Sequence, residues 1–203
     1  MTSLLQTIIE LDRKDRILQN GCPTIMVPVY SSLPDLAIRH RRFLMARDGL
    51  WLEARPPWGQ YRYPLWKSPV PLPYGPVEEL HELINGPIPP KLIQVCKESA
   101  LDAALKKKEW AGWIVCDQTG GYSIKHLNSE TTYTSVRYER PALNEGESLI
   151  LDLHSHPFDM PAFSQTDNLD DLGGIHYSGV ISFDHHMNPK LTIRFCIEGF
   201  YFV

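Results

Sequence analysis

Four residues between positions 154 and 167 have the types and spacing of a metal-dependent hydrolytic site. They lie in LILDLHSHPFDMPAFSQTDNLDDLGG, residues 149–174, where an apolar run, Leu149 to Leu153, delivers His154 and His156. On a strand, residues i and i+2 project from the same face, so the two imidazoles form a claw with Ser155 turned away. Imidazole nitrogen is a preferred zinc ligand, bonding at about 2.0–2.1 Å. Pro157 is expected to end the strand and let the chain fold back. Asp167, on the first turn of the following helix, then offers a third, anionic ligand. Two neutral histidines and one carboxylate leave a fourth tetrahedral position open, as in catalytic rather than structural zinc sites. No cysteine lies near enough in sequence to close it.

Each residue alone has an ordinary explanation. Ser164-x-x-Asp167 fits a helix-capping box, and single histidines are mostly satisfied polar groups. Together they are harder to dismiss. H-[ST]-H-x7-S-x-x-D arises by chance on the order of once in several thousand chains of this length. Ser164 can cap the helix and still turn its hydroxyl toward a substrate.

The elements that must position these groups are readable from pattern. Thirteen of the 17 prolines precede Lys91, which divides the chain near residue 90. The first part, residues 1–88, reads as a Pro-rich, β-containing domain. TIMVPV (24–29) is an edge strand. FLMARDGLWLEA (43–54) is a hairpin about Asp48-Gly49. The Pro- and aromatic-rich stretch from Pro56 to Pro76 cannot be a continuous helix or central strand. PVEELHELING (76–86) has Pro at its start and Gly past its end, which predicts a short helix. Trp51, Trp58, Trp66, Tyr61, Tyr63 and Tyr74 are expected to form a small core. The second part, residues 89–203, opens with an amphipathic helix over Lys91–Lys107, with Lys106 to Lys108 favourably placed at its C-terminal dipole. Strands follow at WAGWIVC, YSIKHL, TTYTSVRY and SLILDLHSH. A short helix begins near Ser164, and YSGVISF, LTIRFCI and FYFV close the sheet. The fold class is α+β around a mixed or antiparallel sheet.

Composition narrows the function further. The net charge of −4 gives no electrostatic case for nucleic acid. RHRR (39–42) is too short a basic cluster to change this and reads as a solvated edge or turn. No apolar run approaches the 18 or so residues that span a bilayer, and the N-terminus has no signal-peptide pattern. Four scattered cysteines suggest reduced, mostly buried thiols. The expected location is the cytoplasm, with neither nucleic acid nor membrane as partner. Asp184-His185-His186 reads as a surface turn. His126 and His176 have no motif spacing, and Asp170 and Asp171 are expected to face solvent.

His154-Ser155-His156, seven residues beginning with Pro157, then Ser164-Gln165-Thr166-Asp167 resembles the JAMM motif of the MPN+ (JAB domain) zinc metalloproteases. That family also has an upstream glutamate in the pattern E-x-x-G before apolar residues, matched here by Glu109-Trp110-Ala111-Gly112 and then Trp113, Ile114 and Val115. The resemblance covers roughly residues 90–203 and implies an MPN/JAB-type mixed sheet flanked by helices. It implies one zinc per chain, held by His154, His156 and Asp167. Glu109 would be the general base that takes a proton from the attacking water and passes it to the leaving amine. Ser164 would help stabilise the oxyanion. The segment 128–147, with TTYTSVRY at its centre, resembles an insertion flanking the cleft; the two readings of it are an edge for strand addition by a substrate tail and an ordinary internal strand.

CPTIMVPVY, ARDGLWLEARPPW, PYGPVEE and the late histidine motif also resemble the protein A family of PRTRC systems. These are mobile-element cassettes that also encode a ThiF-like activating enzyme and a small ubiquitin-like protein. The resemblance implies a peptidase or isopeptidase acting at the C-terminus of a ubiquitin-like protein or its conjugates, with the activating enzyme as a further partner. Two other readings are a catalytically silent MPN scaffold and a zinc hydrolase releasing a small molecule from a carrier. The complete ligand set speaks against the scaffold; the sequence does not separate the other two.

Overall fold

A computed structural model describes residues 16, 19–127, 129–131, 136–138, 142–156 and 163–202. The chain divides into two compact units, Met1–Glu82 and Leu83–Val203. The architecture is α+β.

The first unit is built on a five-stranded sheet in sequential order: β1 (Thr24–Met26), β2 (His40–Ala46), β3 (Gly49–Arg55), β4 (Gly59–Lys67) and β5 (Leu80–Leu83). β1 pairs with β2 in parallel at one edge, and β2–β3 is the expected hairpin. Gly49 has φ +139°, and a Cβ there would lie 2.0 Å from the Trp66 carbonyl oxygen, so the turn requires glycine. Trp51, Trp58, Tyr61 and Tyr63 are buried as expected, while Trp66 is exposed.

Three expectations for this unit are overturned. The Pro-rich stretch does contain a strand flanked on both sides: β4 lies between β3 and β5. Pro64 is accommodated opposite Trp51, next to the register shift between Leu50 and Trp51, the kind of irregularity at which a missing N–H is tolerated. The helix predicted over 76–86 is instead β5 and its flanks. His81 stacks edge-on to Tyr61 and hydrogen-bonds the Tyr63 hydroxyl, so packing against β4 overrides the local helix signals. Finally, RHRR is not wholly solvated. Arg39 and His40 are exposed, but Arg42 is buried on β2. Its Nε donates to Glu53 Oε2 at 2.6 Å, and Arg62 reaches the other oxygen at 2.6 Å. Glu53 is completely buried.

The second unit opens with α1 (Pro90–Leu105), with Pro90 at the first turn, where its missing N–H costs nothing. Its buried residues are small (Cys96, Ala100, Ala104), and it packs on two strands, β6 (Ala111–Cys116) and β10 (Ser148–Ser155). The remaining elements are β7 (Tyr122–His126), β8 (Ser129–Thr131), β9 (Val136–Tyr138), α2 (Gln165–Asp170), β11 (Ile175–Phe183), β12 (Pro189–Ile197) and β13 (Phe200–Phe202). The main sheet runs β13-β12-β11-β10-β6-β7. Its only parallel pairing among the described residues is β10 with β11, so the chain between them must cross over, and that crossover carries α2.

TTYTSVRY is not one strand. Thr131 on β8 pairs with Val136 on β9 in an antiparallel, two-stranded sheet, so the chain reverses between them. Residues 132–135 and Pro157 lie outside the described residues. Cys96, Cys116 and Cys196 are buried free thiols. Among the described residues no helix is long and apolar enough to cross a membrane. Asp184 closes the β11–β12 turn by accepting from the His186 and Asn188 amides, and His185 and His186 are exposed, as expected of a surface turn.

The buried triad in the first unit gives a direct stability test. Glu53→Ala leaves Arg42 and Arg62 without their carboxylate, and breaking a buried pair from one side costs about 3–5 kcal/mol. Urea unfolding followed by tryptophan fluorescence should show a loss of that size.

Candidate metal centre

The centre is assembled from β10, the connection before β6, and α2. His154 is the penultimate residue of β10, aligned with Ala111 on β6 and Val180 on β11. His156 lies one residue past the strand, and its amide is held by the Ile181 carbonyl at 2.9 Å. Ser155 between them is buried and points the other way. Its side-chain oxygen accepts from the Trp110 amide at 2.8 Å, and its own amide donates to the Trp110 carbonyl at 2.8 Å. That double tie fixes the backbone beside Glu109. Gly112 completes the local logic: a Cβ there would lie 2.5 Å from the Trp110 ring, so glycine lets the indole lie flat across the start of β6.

Asp167 reaches the histidines from α2, whose N-cap is Ser164 in extended conformation. The capping box is closed on both sides. The Asp167 amide donates to Ser164 Oγ at 3.2 Å, and the Ser164 amide donates to Asp167 Oδ2 at 2.5 Å. The other carboxylate oxygen faces His154. The capping and metal-ligand readings of this motif therefore coincide: the box orients the carboxylate.

His154 Nε2 and His156 Nε2 are 3.1 Å apart. His154 Nε2 lies 3.2 Å from Asp167 Oδ1, and His156 Nε2 lies 3.6 Å from Oδ2. A tetrahedral zinc with bonds of about 2.0–2.1 Å separates its donor atoms by about 3.3–3.4 Å. Donor atoms of the preferred types from three residues thus lie within 4.8 Å of one another, and the residues fit the ion. Burial opposes ionisation of Asp167, but hydrogen bonds from His154 and Ser164 and the His154 charge outweigh it, holding the carboxyl well below its ordinary range. Burial likewise works to lower His154, and Asp167 overrides it and raises the imidazole. The Asp167 carboxylate is thus held ionised against the two imidazoles.

Glu109 is buried in the connection just before β6, rather than on the strand itself. Burial pushes its carboxyl up to about 7; the His154 charge opposes this and Asp167 reinforces it. A carboxyl held near neutrality beside a metal-type donor set suits a group that gives and takes protons.

A second polar cluster, Asp171, His176 and Cys196, is wholly buried and also has metal-type donors. Sequence reasoning missed it, placing Asp171 in solvent. Asp170 is indeed exposed, but Asp171 accepts from Arg194 at 2.7 and 3.2 Å and lies 3.2 Å from His176 Nε2. Burial pushes Asp171 up, but hydrogen bonds from His176, Arg194 and Ser178 prevail and bring it to about 2. The Arg194 guanidinium therefore occupies the place a cation would take. The available signal was the i+4 spacing of Asp171 from Asp167, which puts both on one helix face. His126 is exposed on β7.

Residues 95–195 match the family described as prokaryotic homologs of the JAB domain. Residues 12–84 match a domain of unknown function, DUF2016. The chain belongs to the JAB family, and His154, His156, Asp167, Glu109 and Ser164 all fall within the matched region. Comparison with curated proteins gives no match.

The raised Glu109 carboxyl has a consequence for the metal-free protein. Between its ordinary value of 4.5 and about 7 the folded state holds a proton that the unfolded state has released, so stability falls as pH rises through that window. Glu109→Gln removes this penalty. Urea unfolding of metal-free parent and variant should show little difference at pH 5 and a gain for the variant at pH 8, with a ceiling of about 3 kcal/mol.

Proposed function

We propose that this protein is a zinc-dependent peptidase or isopeptidase that cleaves at the C-terminus of a ubiquitin-like protein, maturing a precursor or releasing a conjugate. The observation that carries the reading is the convergence of two imidazole nitrogens and one carboxylate beside a buried glutamate poised near neutrality. His154, His156 and Asp167 would hold the ion. Zinc, when bound, supplies Lewis acidity, acidifying water and polarising a carbonyl. Glu109 accepts the proton of the attacking water and returns it to the leaving amine. Ser164 keeps its oxygen on the Asp167 amide and can donate its hydroxyl hydrogen to the developing oxyanion, stabilising the transition state more than the ground state.

The ubiquitin-like substrate is supported by the resemblance to the PRTRC-system protein A family. That resemblance extends into the first unit and also suggests a ThiF-like activating enzyme as partner. The antiparallel β8–β9 pair supports an extended tail as ligand, because a strand edge can take up a further strand through main-chain hydrogen bonds.

Metal analysis should find one zinc per chain, lost in His154→Ala and Asp167→Ala; full zinc in both variants would move the site elsewhere. Glu109→Gln should keep its zinc and lose about 10²–10⁴ in turnover of a ubiquitin-like tail fused to a reporter. A fully active Glu109→Gln would remove this residue from the mechanism.

A further inference from the structure

α2 has too little of its own to hold Asp167 in place. It is six residues long and buries none of them. Leu169, its apolar side chain, is exposed, as is Leu172 just past its end. A helix this short does not persist on backbone hydrogen bonds alone, and without an apolar anchor its position must come from polar contacts. The capping box fixes the N-terminal turn against itself, not against the sheet.

Besides His176, Cys196 and Tyr201, one side chain on the sheet makes several of the contacts that reach this segment. Arg194 is buried on β12. Its Nε and one terminal nitrogen donate to Asp171 Oδ2, and the other terminal nitrogen donates to Asn168 Oδ1 at 2.5 Å. The guanidinium plane lies 3.9 Å from the Phe163 ring centroid and 4.2 Å from that of Tyr201. Phe163 precedes the N-cap, Asn168 is inside the helix and Asp171 caps its C-terminal end. One guanidinium thus grips the chain on both sides of Asp167. Tyr201 adds a hydrogen bond to the Asn168 carbonyl at 2.5 Å.

The sheet register shows what this grip is measured against. Arg194 pairs with Ser178 on β11, and Ser178 with Asp152 on β10, two residues before His154. Paired residues share a face, and residues two apart on a strand do too. Arg194 therefore rises from the same face, and nearly the same row, as His154. One ligand is fixed to the sheet by the β ladder and the other through the arginine.

Resting on the zinc reading above, we infer that Arg194 is a positioning residue for the metal centre: it holds Asp167 over His154 and His156 by clamping α2 to β12. A lysine cannot do this. It keeps the charge opposite Asp171 but loses the planar fork that reaches Asn168 and the flat surface packed by Phe163 and Tyr201.

The test is zinc affinity, measured by chelator competition on the full chain, with the cobalt(II) absorption spectrum as a reporter of ligand geometry. Arg194→Lys should weaken zinc by about 10–100-fold, the usual cost of losing a group that orients a ligand, and should change the cobalt spectrum, while amides of β11 and β12 stay protected from exchange. Asn168→Ala, which leaves the Arg194–Asp171 pair intact, is the second variant and should weaken zinc in the same direction. A merely structural arginine would lower the melting temperature and leave zinc affinity of the folded protein unchanged; that result in both variants overturns the inference alone. A parent chain that takes up no zinc overturns the metallohydrolase reading and this inference with it.

Discussion

The parallel pairing of β10 with β11 is the constraint on which the centre depends. Antiparallel neighbours can be joined by a tight turn, but parallel neighbours need a crossover. Here the chain leaves β10 at His156 and returns to β11 at Ile175, and what lies between carries the capping box and Asp167. The strand places two imidazoles at its C-terminal end, and the crossover brings a carboxylate back to them. The antiparallel partner on the other side, β6, brings Glu109 through the tie between Trp110 and Ser155. Three segments distant in sequence meet because β10 has a different kind of neighbour on each side.

The two units use buried charge differently. In the first, Glu53 is shared by Arg42 and Arg62 across strands β2, β3 and β4, and the result is internal to the sheet. In the second, Asp171 and Arg194 connect a strand to a helix that has no apolar grip of its own. Replacing a buried pair with apolar residues of similar volume often costs little stability. It would, however, remove the directionality that an aspartate or asparagine at a fixed distance gives to α2.

How much could be read beforehand follows from range in sequence. The His154, His156, Ser164, Asp167 group was legible because its geometry is local: a two-residue strand period followed by a cap. Ser164 proved to be the N-cap and Asp167 the third residue of the helix, as the spacing implied. The strands of the second unit's main sheet were legible from apolar runs, whereas TTYTSVRY, read as one strand, is divided between β8 and β9. Asp171 was not legible, because what buries it is an arginine 23 residues later on another strand, and an arginine within a strand pattern carries no mark of which face it takes. The region 76–86 misled because Pro and Gly punctuate loops around strands as well as helix ends; only β4, with Tyr61 and Tyr63 facing His81, decides between them. Pro64 misled because a register shift on the neighbouring strand is invisible from the residue that it accommodates.

The capping box has a consequence beyond fixing the start of α2. Oδ2 of Asp167 accepts from the Ser164 amide and lies 3.6 Å from His156, and Oδ1 lies 3.2 Å from His154, so a single carboxylate is shared between a folding event and a binding event. Thermodynamic reciprocity then applies. Whatever firms the first turn of α2 raises the affinity of the trio for a cation, and a cation held by the trio in turn firms that turn and the bond from the Ser164 amide to Oδ2. That amide proton becomes an intrinsic gauge of occupancy, its resonance moving with the charge on a carboxylate three residues away.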